Sequence, residues 1–486
     1  MDFLNNPNLS GATEAGDMGM DQLAELQKSL NAGYETDVSG MTGGSALRIQ
    51  SLDTTLQATV QDNKHFVLFN ALQKPKATAV IDEWSEQSSI GGFLGDSFND
   101  QDGSASETEG DYARRVGKVK YMTTYRKVPI VLQSQNNIQD AVSLESVNGT
   151  KQLLTSIEFS MFEGNDEVTP KSFAGLRQQI ESLDSTDHVI DMRASALSSI
   201  DPIAKAAETV FGFGNFGTLT DIYMPPSVQT DLNLKLDPAF RVLLSNTASS
   251  TVLGTHVSAI QTSYGTIKTN SDVFIRDQKL QVPFELRNNA HAVVAAANSA
   301  FKPAAFSAVA VTDGGSDSYW ESTHAGAYVY WVTGINHKGE SAAITAAEGA
   351  VTVAAGGSVT LTITASAGAT ETGYVIYRGR KDGTAVLSDV REMTRIAKSG
   401  SSTTFTDLNR EIPGTACSYA LNLNPADHAI AWRQFLPMMK IPMAAVNSPV
   451  IPWLQMICGY LRVTKRNQHV LIKNILPSTS TWLPFG

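Results

Sequence analysis

Cysteine is scarce. The 486 residues hold two, Cys417 and Cys458, neither with metal-ligand spacing around it. That excludes a disulfide framework and suits a reducing compartment. Long apolar runs are absent as well. None reaches the about 20 residues of a membrane span, so no membrane partner is expected. Residues 1–30 have no basic stretch followed by an apolar core, so no secretory signal is expected. Positive charge is in deficit, and a net charge of −11 disfavours a general nucleic-acid binder. Charged residues make up only 17%, against 42% hydrophobic, so this is a folding chain with room for roughly two to four domains.

The motifs of catalysis are lacking too. There is no GxSxG, HExxH, P-loop or clustered carboxylate pair. The eight histidines are scattered, none with a metal partner at helical or hairpin spacing. Gly212-Phe-Gly-Asn-Phe-Gly217 matches the dinucleotide pattern GxGxxG, but that pattern needs a strand before it and a helix after it. Here a helix precedes and a strand follows, so a glycine-rich turn is expected. No catalytic residue, cofactor site or metal site is expected, and the chain reads as a non-enzyme.

What is present begins with residues 137–165, NIQDAVSLESVNGTKQLLTSIEFSMFEGN. Leu144, Val147, Leu154, Ile157 and Met161 recur at helical spacing, widened by Leu153 and Phe162. Gly164 and Asn165 supply a stop. The spacing predicts a helix from about Glu145 to Glu163, or from Thr150 if Gly149 breaks it. Upstream, residues 1–45 are rich in Gly, Asn, Ser and acids, with helical periodicity only over 20–30. They read as an extended arm or as disorder. Residues 77–84 (ATAVIDEW) read as a strand, and 116–131 as one long strand or two collinear ones. Between them lies the loop 90–110. The whole is a two-stranded excursion, which is marginal alone and must lie on something.

Downstream, a short helix is expected over 199–210, a strand over 218–224 and a helix over 227–236, with short strands over 252–275. Residues 303–424 turn to period-two alternation, as in 327–334 (AYVYWVTG), 358–365 (SVTLTITA) and 373–378 (GYVIYR). That pattern argues a β-sandwich of the immunoglobulin or fibronectin type. Near the end, 434–440 and 452–460 precede two strands, 461–463 and 469–475. The sandwich reads as inserted into an older domain, with its ends close together. The chain's charges are uneven. Residues 1–60 carry eight acids and two bases, whereas Asp427 is followed by six bases and no acid.

This order of parts resembles the major capsid proteins of tailed bacteriophages, the Hong Kong ninety-seven type fold. Residues 77–131 resemble that family's extended loop, 150–165 the end of its spine helix, 201–231 and 251–275 its axial domain, and 459–463 and 470–475 its last peripheral strands. The resemblance implies an α+β fold divided as N-terminal arm 1–58, extended β-loop 59–133, peripheral domain 134–198, axial domain 199–302, inserted sandwich 303–424 and C-terminal return 425–486. It implies a chain that assembles with itself as hexamers and pentamers into an icosahedral shell around double-stranded DNA, without sequence-specific binding. Portal and scaffolding proteins are the other implied partners, with a decoration protein as a further one. The implied location is the virion, assembled in the host cytoplasm. A bacterial compartment shell of the same fold and a surface adhesin are the rival readings. The residues expected at subunit interfaces are Trp84, Phe93, Phe98, Arg114 and Arg115 on the excursion, and Arg462, Lys465 and Arg466 near the end.

Overall fold

Asp140 opens the longest helix by accepting the Val142 N–H at 3.2 Å. The computed structural model of the chain describes residues 62–486, except 93–96, 105–106, 135–139, 184–185, 236–256, 278–300, 338, 369, 387–388 and 447. The expected arm 1–58 and Phe93 lie outside the described residues.

In chain order the elements are α1 (Val67–Ala71), β1 (Ile81–Ser89), β2 (Asp111–Lys118), β3 (Lys120–Pro129), α2 (Ile130–Ser134), α3 (Ala141–Glu163), α4 (Leu176–Glu181), β4 (Val189–Ser195), α5 (Asp201–Phe211), β5 (Asp221–Met224), α6 (Pro226–Lys235), β6 (Ala259–Thr262) and β7 (Gly265–Ser271). There follow β8 (Ala305–Val311), β9 (Gly326–Asn336), β10 (Gly339–Glu340), β11 (Ile344–Val353), β12 (Ser358–Thr364), β13 (Gly373–Gly379), β14 (Val390–Ala397), β15 (Ser402–Asp407), β16 (Ala416–Leu421), β17 (Ile430–Pro442), β18 (Val450–Val463) and β19 (Val470–Ile475). The fold is mixed α+β.

The 23 residues of α3 run straight through Gly149 and extend about 35 Å. Leu153, Ile157, Met161 and Phe162 form its buried face, while Val147 lies off that face, half exposed. The helix lies on the antiparallel sheet β17-β18-β3. Arg126 of β3 fixes it there, bonding Glu145 at 2.9 Å and Gln152 at 2.7 Å. In the core beneath, Trp432 of β17 meets Phe69 and Phe173 edge-on. The far end of α3 is tied down by Arg177, which reaches Glu163 at 3.2 Å and Glu411 at 2.5 Å.

The expected strand 116–131 divides at Val119, whose N–H bonds the Val80 carbonyl. Its halves join different sheets, β2 with β1 and β3 with β18. Its last residues, Ile130 and Val131, turn into α2. Residues 434–440 and 452–460 do not precede strands. They lie within β17 and β18, a hairpin whose register shifts on both sides of Leu436 accommodate Pro437.

A second core lies under the six-stranded sheet β4-β19-β16-β5-β7-β6, where β4/β19 and β5/β7 pair in parallel. Ile203, Ala206 and Val210 of α5 and Val228 and Leu232 of α6 pack there with Ile222, Ile267 and Ile472.

From β8 to β15 two sheets enclose a third core. One is β10-β9-β13-β14 with β11 on β9, the other β15-β12-β8. Tyr328, Tyr330 and Tyr374 meet Val359, Leu361 and Ile363 between them. Arg378 is buried among them, bonded to Asp407 at 2.7 Å. The strands of this stretch end at Asp407, short of the expected Asn424. β16 lies between β19 and β5 in the six-stranded sheet, because its wholly buried residues ACSYAL fit a strand covered on both faces. β8 begins opposite Thr364 and β15 ends opposite Val359, at opposite ends of β12 and roughly 20 Å apart.

Candidate subunit interface

The β1–β2 hairpin has two unlike faces, set by the alternation of side chains and by its register. Asp82, Trp84 and Glu86 lie on one face with Gly117, Arg115 and Ala113 opposite them. This face meets its own subunit. Asp82 accepts two bonds from Arg433, at 2.8 and 2.9 Å, and one from the Tyr460 hydroxyl at 2.6 Å, with Arg462 at 3.4 Å. Gly117 is needed there because a β-carbon would collide with the Tyr460 ring. Burial alone would raise the Asp82 pKa. The bonds from Arg433 and Tyr460, with the charges of Arg433 and Arg462, outweigh it and hold the carboxyl below its usual range. Burial and the adjacent Asp82 push the Tyr460 phenol up. The foot of the hairpin is thus a buried ion cluster, not a loose hinge.

The other face carries Ile81, Glu83, Ser85 and Gln87 with Lys118, Val116, Arg114 and Tyr112. Ile81 is 55% exposed, Val116 53% and Tyr112 69%. This face carries three large apolar side chains in water, which makes it the candidate interface.

The residues expected at interfaces separate accordingly. Trp84 and Arg462 come together, the guanidinium 5.7 Å from the indole centroid, but within one chain. Arg114 pairs with Glu83 at 3.4 Å and Arg115 with Glu86 at 3.0 Å, both within the hairpin. Arg466 donates to the Ser182 hydroxyl at 3.2 Å. Phe98 is 80% exposed near the tip, and Lys465 is exposed. The sequence reading missed Asp82, Arg433 and Tyr460, since Asp82 lies 351 positions before Arg433 and 378 before Tyr460. It also missed the outer trio Ile81, Val116 and Tyr112, which only the register assembles. The glycine motif 212–217 is a turn, as its context implied.

Among the described residues, no three of His, Cys, Asp and Glu are grouped to hold a metal ion. No helix among them is long and apolar enough to cross a membrane.

No family model matches this chain. It is 22% identical over 459 residues to the provisionally named major capsid protein of Enterococcus phage phiEF24C, covering 93% of this chain and 94% of that one. It is 22% identical over 468 residues to the major capsid protein of Staphylococcus phage K, covering 94% and 96%. Among solved structures, the capsid of an empty GTA particle aligns with a TM-score of 0.46 at 7% identity, covering 90% of this chain and 99% of that one. A Gordonia phage Cozz chain aligns at 0.44 and 9%, covering 91% and 96%. The encapsulin of Synechococcus elongatus PCC 7942 aligns at 0.43 and 8%, covering 92% and 97%. Along almost its whole length, then, this chain is similar to the major capsid proteins of phages.

Proposed function

We propose that this chain is the major capsid protein of a tailed bacteriophage, with the Hong Kong ninety-seven type fold and a structural, non-enzymatic role. It assembles with itself as hexamers and pentamers into an icosahedral shell around double-stranded DNA. Portal, scaffolding and decoration proteins of the phage are its other partners, and the shell forms in the host cytoplasm. The observation that carries this reading is the end-to-end match to phage capsid proteins, over 94% of this chain and 96% of the relative from phage K. The hairpin supports it. Closed rings need two different complementary patches on each subunit, and a projecting strand pair with an apolar outer face is suited to be one of them. The segment from β8 to β15 is then an inserted sandwich on a shell-forming body.

The test is expression of the full chain, with its phage's scaffolding protein where needed, followed by electron microscopy. Closed shells of uniform diameter are expected, filled with DNA in infected cells. A chain that stays monomeric at all concentrations with scaffold present would sink the reading. Shells holding a host enzyme instead of DNA would replace it with a bacterial compartment.

A further inference from the structure

We propose that the turn from Gly212 to Gly217 is a contact between copies of this chain, Phe213 of one copy seating in the groove between α5 and the β6–β7 turn of the next. The proposal rests on the shell-forming function above and names a surface for it outside the hairpin. Phe213 is 96% exposed and Phe216 71%, their rings edge-on at 5.4 Å. Exposure of this size usually belongs to a loose loop, but this turn is held from several sides. Gly217 N–H donates to the Val210 carbonyl at 2.9 Å, and Asn215 Nδ2 to the Thr209 carbonyl at 2.8 Å. Gln468 Nε2 donates to the Asn215 carbonyl at 3.2 Å, from the stretch just before β19. Phe216 sits at φ +46°, a left-handed conformation that a bulky residue rarely adopts. Backbone strain and a pinned turn that together hold two phenylalanines in water point to a function for the exposed rings.

The groove runs along the same helix, from Asp201 to Glu208, beside the β6–β7 turn. It is a shallow, open depression of about 630 Å³ over Ile190, Pro202, Ala204 and Tyr264, with the exposed Asp201, Lys205 and Glu208 around it. Phe211 packs at a tilt against Tyr264, ring centroids 5.2 Å apart, at the end of the groove nearest the turn, and the exposed Phe213 does not fill the groove of its own chain. An apolar floor within a charged rim is the anatomy of a protein interface. The knob matches it, since no residue from Val210 to Thr220 carries a charge. A knob and a groove on different parts of one subunit make the head-to-tail pairing from which rings close.

The test uses the full chain carrying Phe213→Cys and Ala204→Cys together. Both native cysteines are buried, so the new thiols are the reactive pair. Mild oxidation of the assembled protein should give a ladder of disulfide-linked chains on a denaturing gel, absent from either single variant. A link formed only within one chain, or no link, would overturn the proposal. In parallel, Phe213→Ser with Phe216→Ser should leave the thermal midpoint unchanged while lowering shell yield at least tenfold, and shells at normal yield would overturn it. The ladder is judged in whatever oligomer forms. A wild-type chain that makes no shell therefore counts against the shell-forming function, while the ladder still decides the contact.

Discussion

A β-carbon on Gly149 of α3 would overlap the carboxamide of Gln455 on β18. That amide donates to the Ser146 carbonyl at 2.8 Å and its hydroxyl at 3.1 Å, stitching helix to sheet through the gap the glycine leaves. Gly149→Ala gains about 1 kcal/mol of helix propensity. It also displaces Gln455 and strands a buried amide, which costs about 1–3 kcal/mol. Net destabilisation of about 1 kcal/mol is expected by denaturant titration. A stabilised variant would show that the close approach is incidental.

Asp82→Asn leaves Arg433 and Arg462 largely buried without their carboxylate. Breaking such a pair costs about 3 kcal/mol. The loss should be local, so proteolysis within residues 90–110 should quicken while the thermal midpoint of the body moves little. An unchanged cleavage rate would mean that the hairpin is held by something other than its foot.

Replacing Ile81, Val116 and Tyr112 together by Ser removes the apolar outer face and touches no core residue. The variant should stay folded by circular dichroism and fail to build shells. Lys465→Glu is the matched test for charge, since Arg462 is already committed to its own subunit. Normal assembly of the triple serine variant would take this face out of the interface.

Glu158 and Asp272 place two carboxyl groups in one buried site beside α1. Glu158 accepts the Leu68 and Phe69 N–H groups at 2.6 and 3.0 Å, with Lys74, His65 and Tyr223 as the other titratable neighbours. Burial first, then the charge of Asp272, pushes Glu158 well above the usual carboxylate range, and burial raises Asp272 to about 6. Folded values above the unfolded ones mean stability that is complete below about pH 4 and lost as pH rises through 6. Protection of the Leu68 and Phe69 amides from hydrogen exchange should therefore fall as pH rises through about 6, and Glu158→Gln should flatten that profile. The acid limb has the opposite sign. Burial opposes but Arg177 and Lys473 prevail in holding Glu411 at about 2, so that contribution fades as pH drops from about 4.5. Protection independent of pH in the wild type would overturn the raised carboxyl pair.

The sequence alone determined whatever depends on local periodicity and order. The helix around Ile157, the strands Ser358–Thr364 and Gly373–Gly379 and the turn at Gly212 follow from spacings of 3.6 or 2 residues and from glycine punctuation. The succession of parts, read whole, was enough to point to the capsid proteins that the relatives carry. Tertiary structure decided what needs a partner from far along the chain. Gly149 reads as a helix breaker until Gln455, 306 positions later, needs the space it leaves. Trp84 and Arg462 read as residues for a neighbour until Asp82 gathers Arg433, Tyr460 and Arg462 around it. Ala416–Leu421 falls within the expected sandwich, 303–424, until β19 and β5 claim its two edges. In each case the deciding term is a long-range hydrogen bond or steric contact, and local spacing carries no information about it.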